Sequence, residues 1–242
     1  MTNAPSILAG QTAIVTGASS GIGMAITRLL FSEGCSVAVI GRNAGRLKPA
    51  VEGIASNRYL IAECDVRDDV AVGTMVASVE QAWGHVDILI NSAGLFQTAP
   101  LSETTNALWD DMWQTNVNGT FYPTRAVVPG MIERGKGTIV VMSSVAAHRA
   151  YSGNAAYSAS KYAVTGFARA LSSEVRRKGV RVVNVMPGPV NTAIWGEKDT
   201  PMAREEMLTA QEVAQATINA MTVSSTQVIE DVLLLPQRGL YF

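Results

Sequence analysis

Thr16-Gly17-Ala18-Ser19-Ser20-Gly21-Ile22-Gly23 is the stretch on which the fold turns. It follows a short apolar run at 12–15 and opens a segment with helical patterning from 21 to about 33. A strand, a glycine turn and a helix make the first unit of a parallel α/β sheet. The glycines let the backbone bend sharply and approach a ligand closely. The start of the helix offers free N–H groups and a positive dipole end, which suit a pyrophosphate. The spacing is G-x3-G-x-G, which departs from the G-x-G-x-x-G of the usual dinucleotide fingerprint.

The same alternation continues along the chain. Further strands are expected at 36–40, 59–62, 87–90, 137–142, 180–185 and 228–235. Helical patterns fall at 46–54, 69–83, 106–134 and 155–178. A last helix, opened by the capping box Thr209–Glu212, ends near 221. Runs such as TIVVM and VRVVNVM read as parallel strands buried on both faces. The expected fold is therefore a single-domain, Rossmann-type, doubly wound α/β structure over 1–242, with seven parallel strands and helices on both faces. Pro123 and Pro129 sit inside the long pattern at 106–134. A helix-interior proline costs about 3 kcal/mol, so a kink at 119–123 is favoured over two separate helices. Residues 188–207 have weak periodicity and are expected to form a substrate lid.

Composition narrows the function. The 242 residues are 48% hydrophobic and 16% charged, with 19 basic and 20 acidic side chains. A net charge of −1 argues against a nucleic-acid groove or an acidic membrane surface. No stretch approaches the roughly 18 apolar residues of a spanning helix. The first five residues lack a basic or apolar leader, so a cytoplasmic setting is expected. Cys35 and Cys64 lack CxxC spacing, and their expected positions put them at opposite ends of neighbouring strands, so no metal site or disulfide is expected.

TGxxxGIG resembles the cofactor loop of the short-chain dehydrogenase/reductase family. The other motifs of that family follow in order: Asn91-Ser92-Ala93-Gly94, Asn116, Ser144, Tyr157-x3-Lys161 and Pro187-Gly188. The resemblance covers about residues 11–192. It implies hydride transfer between a nicotinamide and a ketone or secondary alcohol, with Asn116, Ser144, Tyr157 and Lys161 catalytic. Tyr157 and Lys161 share a helix face at i, i+4, and a nearby ammonium is expected to lower the phenol's pKa. Ser144 would hold the substrate carbonyl. Ser143 is its rival, and the family's spacing to the tyrosine selects Ser144. By resemblance, Lys161 also binds the nicotinamide ribose, and Asn116 anchors a water feeding a proton relay.

The resemblance also implies the cofactor contacts that follow. Gly17, Ser19, Ser20, Gly21, Ile22 and Gly23 form the loop. Asp65 and Val66 lie at the adenine, Asn91, Ala93 and Gly94 lie beneath the cofactor, and Pro187, Gly188, Val190 and Thr192 are at the nicotinamide end. Strand two ends without a carboxylate, and Arg42 and Asn43 follow. Arg42 could pair with a 2′-phosphate, so NADP(H) is expected, with NAD(H) as the alternative. Leu95, Phe96, Tyr151, Ile194 and Trp195 are candidates for an apolar substrate pocket, and Arg149 for a carboxylate anchor or a solvated loop residue. Residues 228–236 resemble the ending of the 3-hydroxy acid dehydrogenase branch. The Leu-Tyr-Phe tail is expected to dock, and the family commonly assembles as dimers or tetramers through its two long helices. A catalytically silent sensor of the same fold, and an NAD-dependent alcohol dehydrogenase, are the competing readings.

Overall fold

The computed structural model describes residues 6–196, 200 and 202–239. Met1–Pro5, Pro201 of the expected lid and the Leu-Tyr-Phe tail lie outside the described residues. Seven parallel strands form one sheet in the order β3-β2-β1-β4-β5-β6-β7. They are β1 Thr12–Thr16, β2 Ser36–Gly41, β3 Tyr59–Glu63, β4 Ile88–Asn91, β5 Gly137–Met142, β6 Val180–Pro187 and β7 Asp231–Leu234. The helices are α1 Gly21–Ser32, α2 Ala44–Leu47, α3 Asp69–Trp83, α4 Asn106–Met112, α5 Gly119–Glu133, α6 Ala155–Val175 and α7 Ala210–Met221. This is the expected Rossmann-type architecture.

Alternate strand residues serve opposite faces. Ala13 and Val15 of β1 join the core under α1 and α7, while Ile14 joins the core under α3, α5 and α6. Val140 and Val183 follow the first set, and Ile139 and Val182 the second. Each central strand is therefore apolar on both sides, which explains the unbroken runs in the sequence. The capping box at Thr209 forms as expected, with the Glu212 N–H on the Thr209 hydroxyl and the Glu212 carboxylate accepting the Thr209 N–H.

Two expectations need correction. The helix expected at 46–54 is instead α2 followed by a 3₁₀ turn, Lys48–Val51. It begins early because the Asn43 side chain accepts the Arg46 N–H as a cap. It ends early because Pro49 enters the turn and Gly53 takes φ +77°. The irregularity in the long fourth helix lies upstream of 119–123: a π-helical turn, Trp113–Asn118, joins α4 to α5. The Gly119 N–H bonds back five residues to the Gln114 carbonyl. Both prolines are accommodated inside α5 beyond this turn.

Cys35 and Cys64 are free and buried. Burial pushes their thiols up to about 12 and about 11. No described helix is long and apolar enough to cross a membrane, and no group of metal-ligating side chains occurs among the described residues.

Two glycines should respond to alanine with opposite signs. Gly179 has φ +79°, and a Cβ there would fall 2.0 Å from the Gly135 carbonyl oxygen. Gly179→Ala should destabilise by roughly 2 kcal/mol or more. Gly73 sits in α3 with nothing within 4 Å of an added Cβ. Gly73→Ala should stabilise by about 0.5–1 kcal/mol. Urea unfolding of both variants checks the pair.

Candidate functional site

A cavity of about 800 Å³ opens at the carboxyl ends of the strands. It lies where the sheet order turns from β1 toward β2 on one side and β4 on the other, the place where open α/β sheets receive ligands. Its floor is the glycine turn. Gly17 has φ +67°, and a Cβ would meet the Ala93 backbone at 2.8 Å. At Gly23 a Cβ would meet the Gly17 carbonyl oxygen at 2.4 Å. The turn is therefore a tight cradle at the start of α1, with Ser19, Ser20, Gly21 and Ile22 also on the cavity wall. Thr16, which opens the motif but was given no role of its own, ties this cradle to the loop after β4. Its hydroxyl accepts N–H bonds from Ser92 and Ala93, both at 3.1 Å.

One end of the cavity is basic. Arg42, Arg46 and Arg67 line it together with Asp65 and Val66. Arg67 grips both Asp65 oxygens, at 2.7–3.1 Å. That grip, reinforced by Arg42, holds the carboxyl below its ordinary pKa. Asn43 does not line the cavity; it caps α2 and so places Arg46 one turn from Arg42. Arg46 and Arg67 were missed because neither belongs to a spacing motif, although Arg46 is a helix turn beyond Arg42.

At the other end, β5 delivers two serines in opposite directions. The Ser143 hydroxyl faces α6, bonding the Thr165 hydroxyl at 2.7 Å and the Lys161 carbonyl at 3.2 Å. Ser144 faces the cavity, where its hydroxyl hydrogen-bonds the Tyr157 phenol and accepts the Ala146 N–H. The Lys161 Nζ donates to the Met142 carbonyl at 2.8 Å and lies 5.7 Å from the Tyr157 ring centre. Burial pushes Tyr157 up to about 12, with the Ser144 hydrogen bond acting against it. Burial likewise pushes Lys161 down to about 8. The sequence reading expected a nearby ammonium to lower the phenol's pKa; burial raises it instead.

Asn116 sits in the π turn and is 1% exposed. Its side chain accepts the Leu95 N–H at 2.7 Å, donates to the Leu95 carbonyl at 3.0 Å and donates to the Ser160 hydroxyl at 2.9 Å. It thereby clamps the loop after Gly94 to α6. Asn116 and Leu95 lie behind the cavity wall, as does Asn91, which donates to the Thr124 hydroxyl at 2.9 Å. Ala93, Gly94, Pro187, Gly188, Val190 and Thr192 are on the wall itself.

Phe96, Tyr151, Ile194 and Trp195 reach the cavity as expected. Phe96 stands edge-on to Tyr157, with centroids 4.8 Å apart, and Trp195 packs on Phe96 at 5.0 Å. The expected lid contains two 3₁₀ turns, Ala193–Trp195 and Arg204–Glu206. Arg149 is exposed and outside the cavity wall. Ser152 and Asn154, which no motif marked, are on it.

The arrangement can bind a phosphorylated, elongated ligand along the glycine cradle and exchange a proton with an oxygen near Ser144 and Tyr157. Comparison with known proteins agrees with that chemistry. The family model for short chain dehydrogenases matches residues 11–203. An uncharacterized oxidoreductase of Staphylococcus saprophyticus is 33% identical over 232 residues, covering 95% of this chain and 98% of that protein. A serine dehydrogenase complexed with NADP+ superposes with a TM-score of 0.83 at 30% identity, covering 92% of this chain and 94% of its own. An alcohol dehydrogenase from the archaeon Thermococcus sibiricus, complexed with 5-hydroxy-NADP, gives 0.84 at 25% identity, covering 93% and 95%.

Gly23→Ala should weaken dinucleotide binding at least about tenfold while leaving the circular dichroism spectrum intact, because the added methyl pushes into the Gly17 carbonyl and opens the cradle. Quenching of tryptophan fluorescence during a dinucleotide titration measures it.

Proposed function

The chain belongs to the short chain dehydrogenase family, and from that premise we propose that it is an NADP(H)-dependent oxidoreductase interconverting a ketone and a secondary alcohol. The observation that carries this reading is the convergence of Ser144, Tyr157 and Lys161 on the wall of the cavity that the glycine cradle floors, with the Lys161 Nζ 5.7 Å from the Tyr157 ring centre. A sensor that performed no chemistry would have no use for a buried phenol, hydroxyl and ammonium gathered at that point.

The residues fit the cofactor. Gly17, Gly21, Gly23 and the start of α1 would hold the pyrophosphate. Asp65 and Val66 would meet the adenine, and Lys161 the nicotinamide ribose. Ala93, Gly94, Pro187, Gly188, Val190 and Thr192 would surround the nicotinamide. Arg42 and Arg46 would hold a 2′-phosphate. No carboxylate ends β2, and the nearby Asp65 carboxylate is already tied to Arg67, so the basic end favours NADP(H) over NAD(H). The NADP complexes among the similar structures point the same way. When bound, the nicotinamide supplies or accepts the hydride.

The chain's own part is proton transfer. Ser144 donates a hydrogen bond to the substrate oxygen and orients it. In reduction, Tyr157 gives its phenolic proton to that oxygen as negative charge develops. The Lys161 ammonium then stabilises the phenolate left behind. Asn116 positions the Leu95 loop and α6 around the pair, and the proton relay assigned to it by resemblance would reach Tyr157 through Lys161. An assembly of like subunits through α5 and α6 belongs to the same reading; Phe121 and Tyr162 on those helices are 36% and 49% exposed.

Mixing the protein with NADPH or NADH and a panel of ketones tests the proposal, and no turnover with either nucleotide would overturn it. Tyr157→Phe should lower kcat by about 10²–10⁴ with NADPH binding retained. Arg42→Ala should weaken NADP+ by about 10–100-fold and leave NAD+ little changed.

The pH dependence follows from the two shifted groups. The phenol, at about 12, keeps its proton throughout the working range. The lysine, at about 8, loses its charge above that pH. The reductive rate should therefore be level on the acid side and fall above pH of about 8, approaching tenfold per unit. The oxidative rate, which needs the phenolate, should rise with pH. Steady-state profiles in both directions check the signs.

A further inference from the structure

The substrate end of the cavity has an aromatic wall that is fixed in place. The Trp195 indole N–H donates to the Val190 carbonyl at 2.8 Å, which sets the ring's orientation at the base of the 188–207 segment. Its face contact with Phe96 is edge-on, at 68° between planes. Phe96 in turn stands at 83° to the Tyr157 ring. The three rings thus form a continuous apolar edge that begins at the phenol ring.

Apart from Lys161, the described residues at the rest of this end are uncharged. Ser152 and Asn154 make it polar without making it ionic. Among the described wall residues near Tyr157, the cation is Lys161, and its Nζ is engaged with the Met142 carbonyl. Arg149 stands outside in solvent. Arg204, on the lid, is turned onto the Gly196 carbonyl at 2.9 Å. An ionised carboxylate buried here would lose its water, and the one cation among the described wall residues near Tyr157, Lys161, is already drawn on by the Met142 carbonyl and, in the reading above, by Tyr157 and the ribose. A planar apolar group would instead lie against rings already set in edge-on geometry.

Resting on the oxidoreductase reading above, we infer that the preferred substrate is an electrically neutral carbonyl compound or alcohol bearing an aryl or bulky apolar arm, with Trp195 setting that preference. This parts from the hydroxy acid suggested by the resemblance at 228–236.

Four probes decide it under one NADPH concentration: acetoacetate, ethyl acetoacetate, 2-butanone and acetophenone. The neutral ester should exceed the free acid in kcat/KM by about 100-fold, and acetophenone should exceed 2-butanone. In Trp195→Ala the acetophenone to 2-butanone ratio should fall at least about tenfold, carried by KM. Trp195→Phe, which keeps an aromatic edge, should restore most of that ratio and guards against a misfolded lid. Turnover led by acetoacetate would overturn the neutral-substrate inference alone. Equal losses for both ketones in Trp195→Ala, with no rescue by phenylalanine, would overturn the part given to Trp195. No turnover of any probe would instead overturn the oxidoreductase reading, and this inference with it.

Discussion

The Thr16 hydroxyl is the joint on which the cavity hangs. It sits at the end of β1 and accepts two N–H bonds from the loop after β4, while donating to the Ile90 carbonyl. It holds that loop so near the glycine turn that Gly17 has no room for a Cβ. From this fixed contact the loop runs through Gly94 to Leu95, where Asn116 clamps both backbone groups of one residue. Phe96 comes next, and it carries the ring contacts to Tyr157 and Trp195. A single threonine thus ties the glycine cradle to the loop that carries the aromatic wall, through side-chain hydrogen bonds to that loop's backbone.

Burial does the electrostatic tuning. It acts on Tyr157 and Lys161 in the same chemical sense, toward the uncharged form of each, although the pKa values move in opposite directions. The outcome is a phenol that holds its proton and an amine whose charge lies close to the working pH. The Ser144 hydrogen bond works against the burial of the phenol. Spacing on the helix explains why tyrosine and lysine share a face. It does not fix the sign of either shift, which depends on how the strand ends, the lid and α6 close around them.

The sheet was legible because β1, β4, β5 and β6 are buried on both faces and so appear as unbroken apolar runs. β5 and α3 fall on the expected residues. α2 was misjudged because its start depends on the Asn43 side chain rather than on periodicity. The π turn was missed because a proline rule assigned the irregularity to the wrong residues, while the observed device serves Asn116. In the cavity, the residues that came forward from spacing are those fixed by local geometry, the glycine turn and Tyr157 with Lys161, while the choice of Ser144 over Ser143 came from the family resemblance. Asn116 on Leu95 is a meeting of segments 21 residues apart, and no pattern within one segment reveals it; Arg67 on Asp65 and the wall residues Ser152 and Asn154 are local, but belong to no motif of spacing. Arg149 shows the converse: closeness in sequence to Ser144 did not bring it to the cavity.

The short α2 helix has a further effect. It sets Arg46 beside Arg42 and Arg67 at one extremity of a cleft whose opposite extremity carries, among the described wall residues, the single cation Lys161, in a chain of net charge −1. Such a cleft has a dipolar field along its length. A visiting molecule with its phosphates gathered at one end is turned by that field before any contact is made, so that it arrives with its long axis and its sense already selected. Added salt shortens the reach of this guidance, which makes encounter, more than chemistry, the ionic-strength-sensitive stage of the cycle.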